Sequence, residues 1–155
     1  MKITDILKKE CIIIPPKGNT KVEIIQELAN LIFLSHPEIN KEESLKGIFE
    51  RESVETTAIG EGIAIPHAAI DGSTSITLGF GIFQDGIDFD SLDGKPVKVI
   101  LLILFPKGDI GLQLRFLAKL SRFAHNKELM QNLLECKNPD EVLHTFQMFE
   151  EKEFS

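Results

Sequence analysis

Val97-Lys98-Val99-Ile100-Leu101-Leu102-Ile103-Leu104-Phe105 is the stretch on which the fold turns. Its apolar residues run almost without a break, interrupted by one lysine, which suits a central strand covered on both faces. It falls far short of the roughly 20 apolar residues that span a bilayer. Asp93-Gly94 just before it is a turn signal. Upstream, Ser75 to Phe83 sets Ile76, Leu78, Phe80 and Ile82 at period two, the mark of a second strand. Gly79 and Gly81 fall on the opposite face of that strand, where a close approach by another element is expected. Ile63-Ala64-Ile65 reads as a short strand stopped by Pro66.

Helix signals flank these strands. Thr20-Lys21-Val22-Glu23 has the capping-box pattern, in which hydroxyl and carboxylate satisfy N–H groups left over at a helix start. Ile24, Ile25, Leu28, Leu31 and Ile32 then recur at helical spacing, and Pro37 marks the end. A second helix is predicted from near Asn40, burying Leu45, Ile48 and Phe49 and running into Glu50-Arg51-Glu52. The hydroxyl- and glycine-rich residues 56–62 read as a loop. Beyond the strands, Leu114, Leu117, Leu120 and Phe123 form one helical stripe, with Phe116 beside it, and Leu129, Leu133 and Leu134 form another. Asn138-Pro139-Asp140-Glu141 joins an Asn cap to Pro at the first helical position, ahead of Val142, Leu143 and Phe146. This order predicts an α/β fold: a three-layer α/β/α sandwich, its mixed sheet carrying helices on both faces. With no repeat, low-complexity segment or Gly/Ser linker, residues 1–155 are expected to form one domain.

Composition narrows the function. A chain of 155 residues with 43% hydrophobic and 26% charged residues reads as soluble and globular. Its net charge of -7 and pI near 5.1 argue against nucleic acid, whose binders need Lys and Arg to displace counterions. Opposite potentials speed encounter, so a basic protein partner fits better. Cys11 and Cys136 are too isolated for a disulfide framework or a zinc site and read as buried, reduced thiols. Asp5, Lys8, Lys9 and Glu10 interrupt any signal-peptide core before Pro15, so no membrane insertion and a cytoplasmic protein are expected.

The chemistry concentrates in Glu50 to Ala68, ERESVETTAIGEGIAIPHA. One imidazole, His67, follows a short apolar strand, with proline stiffening the backbone before it. Upstream lie Thr56 and Thr57, whose hydroxyls are donors, and Gly60 and Gly62, which let N–H groups turn toward an anion. Neutral imidazole is nucleophilic near pH 7 and can accept a phosphoryl group. Such transfer asks mainly for in-line approach and donors to three equatorial oxygens. This reading requires the ring to be exposed, uncharged and surrounded by donors. The bland alternative is a satisfied core histidine. A metal role is not indicated, because no second His, Cys or carboxylate stands at ligand spacing.

Gly60-Glu61-Gly62-Ile63-Ala64-Ile65-Pro66-His67-Ala68 resembles the active-site signature of the fructose/mannitol/nitrogen-regulatory enzyme IIA family of the bacterial phosphotransferase system. Phe89 to Val97, Ser121-Arg122-Phe123 and Asn138 to Glu141 also follow its pattern, so the resemblance covers almost the whole chain. It implies that His67 is phosphorylated on Nε2 and that Arg51 helps dock and orient the phosphoryl group. It assigns Thr56 and Thr57 to the hydroxyl pair of the phosphate loop, with Gly60 and Gly62 lining it. Glu55 and Ala58 stand where glycines are more usual, and Glu61 where relatives often carry asparagine. Relatives place a second histidine at the start of the helix after the central strand; Gln113 stands there instead, able to donate one hydrogen bond but not to become cationic.

The resemblance further implies no metal and no bound cofactor. Its partners would be a histidine-containing phosphocarrier protein as donor, and a IIB domain or a regulated kinase or transporter downstream. With no IIB-like or membrane-spanning segment attached, the free-standing nitrogen-regulatory type is favoured over a piece of a sugar permease. The rival readings are a phosphorylation-impaired regulatory binding module, supported by Gln113, and a cytosolic domain of the anion-transporter type. His36, His125 and His144 read as surface or helix-end residues without a role.

Overall fold

The structure, a computed structural model, describes residues 1–153. The chain opens with α1 (Ile3–Ile6), a 3-10 turn (Lys9–Cys11) and β1 (Ile12–Ile13), followed by α2 (Lys21–Ser35) and α3 (Lys41–Val54). Strands β2 (Ala58–Gly60), β3 (Ile63–Ala64), β4 (His67–Ile70), β5 (Thr77–Ile87) and β6 (Val97–Pro106) come next. The helices α4 (Ile110–Ala124), α5 (Lys127–Glu135) and α6 (Pro139–Glu153) close the sequence.

The apolar run at Val97 is the central strand. On one flank β6 pairs antiparallel with β5, from Thr77↔Leu104 to Ile82↔Val99. On the other it pairs parallel with two strands in succession, β3 at Ile63↔Val99 and β4 from His67↔Ile103 to Ile70↔Pro106. β1 lies parallel to β5, and β2 antiparallel to β3. The sheet is therefore mixed, with six strands among the described residues.

Its two faces carry separate cores. Leu78, Phe80, Val99, Leu101, Ile103 and Phe105 meet α1, α4, α5 and α6 through Ile3, Phe116, Leu120, Leu133 and Phe146. Ala64, Ala68, Ile70, Ile100, Leu102 and Leu104 meet α2 and α3 through Ile24, Ile25, Leu28, Ile32 and Ile48. This is the α/β/α sandwich that the element order predicts. Gly79 is where α2 comes closest: a β-carbon there would stand 3.0 Å from the Leu28 carbonyl oxygen.

The predicted caps form. Thr20 Oγ1 accepts from Glu23 N at 3.2 Å, Asn40 Oδ1 from Glu43 N at 2.9 Å, and Asn138 Oδ1 from Glu141 N at 2.9 Å. A cap contributes about 1 kcal/mol. Burying each of Ile24, Ile25, Leu28 and Ile32 contributes roughly 2 kcal/mol, so packing outweighs capping in holding α2.

Three expectations need correction. The stretch 56–62 is not all loop, because Ala58–Gly60 is β2 and forms a hairpin with β3. The short strand does stop ahead of Pro66, but His67, expected to lie beyond it outside a strand, itself opens the next one, as the chain steps from β3 to β4 along the same flank of β6. The strand predicted at Ser75 to Phe83 runs from Thr77 to Ile87, with an irregularity between Ile82 and Ile87.

The terminal helices are joined by a buried ion pair. Glu150, 1% exposed, accepts from the N–H groups of Ile3 and Thr4, while Lys119 Nζ donates to Glu150 Oε2 at 2.8 Å and to the Met1 carbonyl at 2.7 Å.

α3 packs directly on β4. A β-carbon on Gly47 would sit 3.1 Å from Ala68 Cβ, so the helix lies close because this position has no side chain. Gly47→Leu is therefore expected to destabilise by about 1–3 kcal/mol, read as a shift of the urea midpoint, by forcing α3 away from β4.

Candidate functional site

His67 is 7% exposed, which corrects the expectation of an open imidazole. Its ring meets Phe105 edge-on, 6.1 Å between centroids at 81°, and Phe105 meets Phe116 of α4 in the same way at 6.1 Å and 79°. Nδ1 lies 2.8 Å from the Ile65 carbonyl oxygen. A carbonyl oxygen only accepts, so Nδ1 carries the proton and Nε2 keeps the lone pair.

Burial holds the His67 pKa below the ordinary imidazole value; the Ile65 bond raises it, the Arg51 cation lowers it and Glu52 raises it. The net direction is down, so the ring is uncharged near neutral pH, as the sequence reading requires. Between the folded and unfolded values the unfolded chain binds more protons. Stability therefore rises with pH across the window below about 6.5, and this contribution is complete above it.

Arg51 lies in the last turn of α3, half-buried. Its Nη1 donates to the Glu55 carbonyl at 2.8 Å. A guanidinium has five N–H donors, so others stay available for an anion. Its positive charge is one of the influences that lower the His67 pKa. Gln113 sits in the first turns of α4, half-buried, its N–H donating to the carbonyl of Asp109, the N-cap. Leu112 beside it packs on the core face that holds Phe105.

The other predicted contacts are placed differently. Thr56 Oγ1 donates to the Phe89 carbonyl at 2.9 Å and accepts from Ala58 N at 3.1 Å, closing a turn. Thr57 is 2% exposed and its hydroxyl donates to Glu52. Neither hydroxyl is free for a phosphate, so both assignments are corrected. Gly60 and Gly62, at φ 108° and 76°, form the β2–β3 turn with Glu61. The Gly60 α-carbon faces the Asp93 carboxylate, and the Gly62 carbonyl accepts from the N–H groups of Lys98 and Val99. Ile63 registers with Val99 but His67 with Ile103. Four strand positions separate them, about 13 Å. The turn therefore stands away from the imidazole, and a role for it in binding a phosphoryl group is also corrected.

Sequence reasoning missed Glu52. It is buried, receives the Thr57 hydroxyl and pairs with Lys21 Nζ at 2.7 Å. A carboxylate in the helical run Glu50-Arg51-Glu52 looks like a solvated face, and only its tertiary partners reveal otherwise. His36 faces Glu38, 3.5 Å away, and His125 Nδ1 contacts the Ser121 carbonyl, while His144 lines a groove between α5 and α6; none belongs to this site.

The sequence model of the family described as "Phosphoenolpyruvate-dependent sugar phosphotransferase system, EIIA 2" matches residues 5–148. The chain belongs to this enzyme IIA family. The fructose-specific EIIA component of Haloferax volcanii is 33% identical over 145 residues, covering 92% of this chain and 94% of that protein. The nitrogen regulatory protein of Bradyrhizobium diazoefficiens is 33% identical over 133 residues, 86% of each. The fructose-specific EIIABC component of Bacillus subtilis is 32% identical over 92% of this chain, but the match spans only 22% of that larger protein. Among solved structures, the nitrogen regulatory protein IIA-Ntr of Neisseria meningitidis superposes with a TM-score of 0.84 at 28% identity, covering 93% of this chain and 98% of that one. The Escherichia coli mannitol IIA, solved in complex with phosphorylated IIB, shares the fold at TM-score 0.74 and 18% identity over 92% of this chain and 99% of that chain. The enzyme IIA chain thus sits among sugar-specific and nitrogen-regulatory members alike. Among its described residues no helix is long and apolar enough to cross a membrane.

Titration of the unphosphorylated protein followed by histidine NMR should give His67 a midpoint below the ordinary imidazole value. Arg51→Gln should raise that midpoint, since the cation at present lowers it. An unchanged midpoint would place the guanidinium out of range of the ring.

Proposed function

We propose that the chain is a cytoplasmic phosphoryl carrier of the phosphoenolpyruvate-dependent phosphotransferase system. It accepts the group on Nε2 of His67 from a histidine-containing phosphocarrier protein, then passes it to a IIB domain or holds it as a nitrogen-regulatory signal. The observation that carries this reading is the Nδ1 contact with the Ile65 carbonyl on a buried, uncharged ring.

In the transfer, the Nε2 lone pair attacks phosphorus in line as the phosphorus–nitrogen bond of the donor breaks, and the departing nitrogen keeps that electron pair. The product ring holds phosphorus at Nε2 and a proton at Nδ1, so it is cationic. The Ile65 carbonyl, already accepting from Nδ1, stabilises that charge as it develops. Arg51 offers its remaining N–H groups to the equatorial oxygens, a task its planar fork suits. Gln113 gives at most a neutral amide donor where a second histidine would give a cation.

Gln113 also supports a second reading, a regulatory module that docks on a kinase or transporter and takes up phosphate slowly. Incubation with phosphoenolpyruvate, enzyme I and the phosphocarrier protein separates the two. A carrier acquires acid-labile, base-stable phosphate at least as fast as it could be used in a transfer chain, and His67→Ala abolishes the label. Gln113→His is expected to raise the uptake rate by roughly tenfold, the low end of what a positioned acid–base or charged group contributes. A rate unchanged by that substitution would remove Gln113 from the account.

A further inference from the structure

Glu52 is a buried carboxylate to which phosphoryl transfer has so far given no part. Its side chain is 4% exposed. One oxygen accepts from the Thr57 hydroxyl; the other accepts from Lys21 Nζ at 2.7 Å and, more weakly, from Thr57 N–H at 3.4 Å. Lys21 opens α2, with its ammonium 5.2 Å from the centre of the Phe89 ring and 4.0 Å from Asp90. The pair thus joins the start of α2 to the end of α3, and Thr57 is gripped at both its hydroxyl and its N–H.

Thr57 leads on to the imidazole in two steps. Its carbonyl accepts from Ile65 N–H at 3.2 Å, and the Ile65 carbonyl accepts from His67 Nδ1 at 2.8 Å. Between Ile65 and His67 stands Pro66, whose ring fixes φ and whose carbonyl is held by Ile103 N–H at 2.9 Å. The Ile65 peptide therefore sits between two anchors, β6 on one side and Thr57 on the other. Only the second depends on a buried charge.

We propose that Glu52 is a positioning residue for phosphoryl transfer: by clamping Thr57 it fixes the Ile65 carbonyl, which holds the Nδ1 proton and so presents Nε2 as the nucleophile. This rests on His67 being the phosphoryl acceptor. A free histidine side chain favours the opposite tautomer, with its proton on Nε2 and no lone pair there to attack phosphorus. The clamp reverses that preference before any donor arrives. A carboxylate that served only the fold would alter stability and leave the tautomer alone.

The test reads the tautomer of His67 directly, by long-range proton–nitrogen NMR of the unphosphorylated protein at pH 8, the signal being assigned by its loss in His67→Ala. The wild type should show the proton on Nδ1. The double variant Glu52→Leu/Lys21→Met removes both charges and leaves neither stranded. It should show a substantial Nε2–H population and a phosphoryl uptake rate lower by about 10- to 100-fold, the usual scale for a misplaced reacting group. Glu52→Gln, whose amide can still bond to Thr57, should restore the Nδ1 tautomer and most of the rate. A double variant that keeps the wild-type tautomer and an uptake rate within about twofold overturns the proposal, as does a wild type already protonated on Nε2. Should the double variant fail to fold, Thr57→Val decides by the same two readouts, a retained tautomer and rate again overturning it. If the wild type takes up no phosphoryl group at all, the carrier function falls while the tautomer comparison still decides the positioning role.

Discussion

Strand β6 cannot satisfy its backbone polar groups from water, because helices cover both its faces and apolar side chains fill them. An unpaired buried N–H or C=O costs about as much as a lost hydrogen bond, so every such group along its length needs a neighbouring strand. β5 supplies one flank as a single long partner. The other flank is supplied in two pieces, and the chain bends between them at Pro66. That break creates the site: the residue just past the bend starts a new strand and can turn its ring back onto the carbonyl two positions behind it.

The same geometry sets a balance between access and reactivity. Sealing the imidazole lowers its affinity for protons and leaves the ring uncharged near neutral pH, while the contact with Phe105, which in turn meets Phe116 edge-on, limits the ring's orientation. A fully exposed ring would titrate closer to neutrality and rotate freely. A fully enclosed one could not be reached from solution at all. The small remaining exposure of His67 lies between these limits.

How much could be read from the chain depended on the range of the interactions. The caps at Thr20, Asn40 and Asn138, the buried run from Val97 and the closeness implied by Gly79 are local signals, and the structure bears them out. The hairpin at Ala58–Gly60 was invisible because a three-residue strand exists only through its pairing. The hydroxyls of Thr56 and Thr57 fitted a phosphate loop by residue type, yet they are taken by Phe89, 33 residues away, and by a carboxylate that looks like part of a wet helix face. The candidate histidine stands out in the sequence through its flanking motif. The contacts that hold its ring do not, since they run between elements.

The buried pair of Lys119 and Glu150 has a consequence for how the molecule comes apart. Separating either partner would strand a charge in an apolar interior, an outcome far costlier than fraying an ordinary helix end. The opening residues and the final helix are thus latched to the middle of the chain. Terminal helices that in most domains breathe independently are here represented by α1 and α6, which are expected to open only together with α4, to which they are latched.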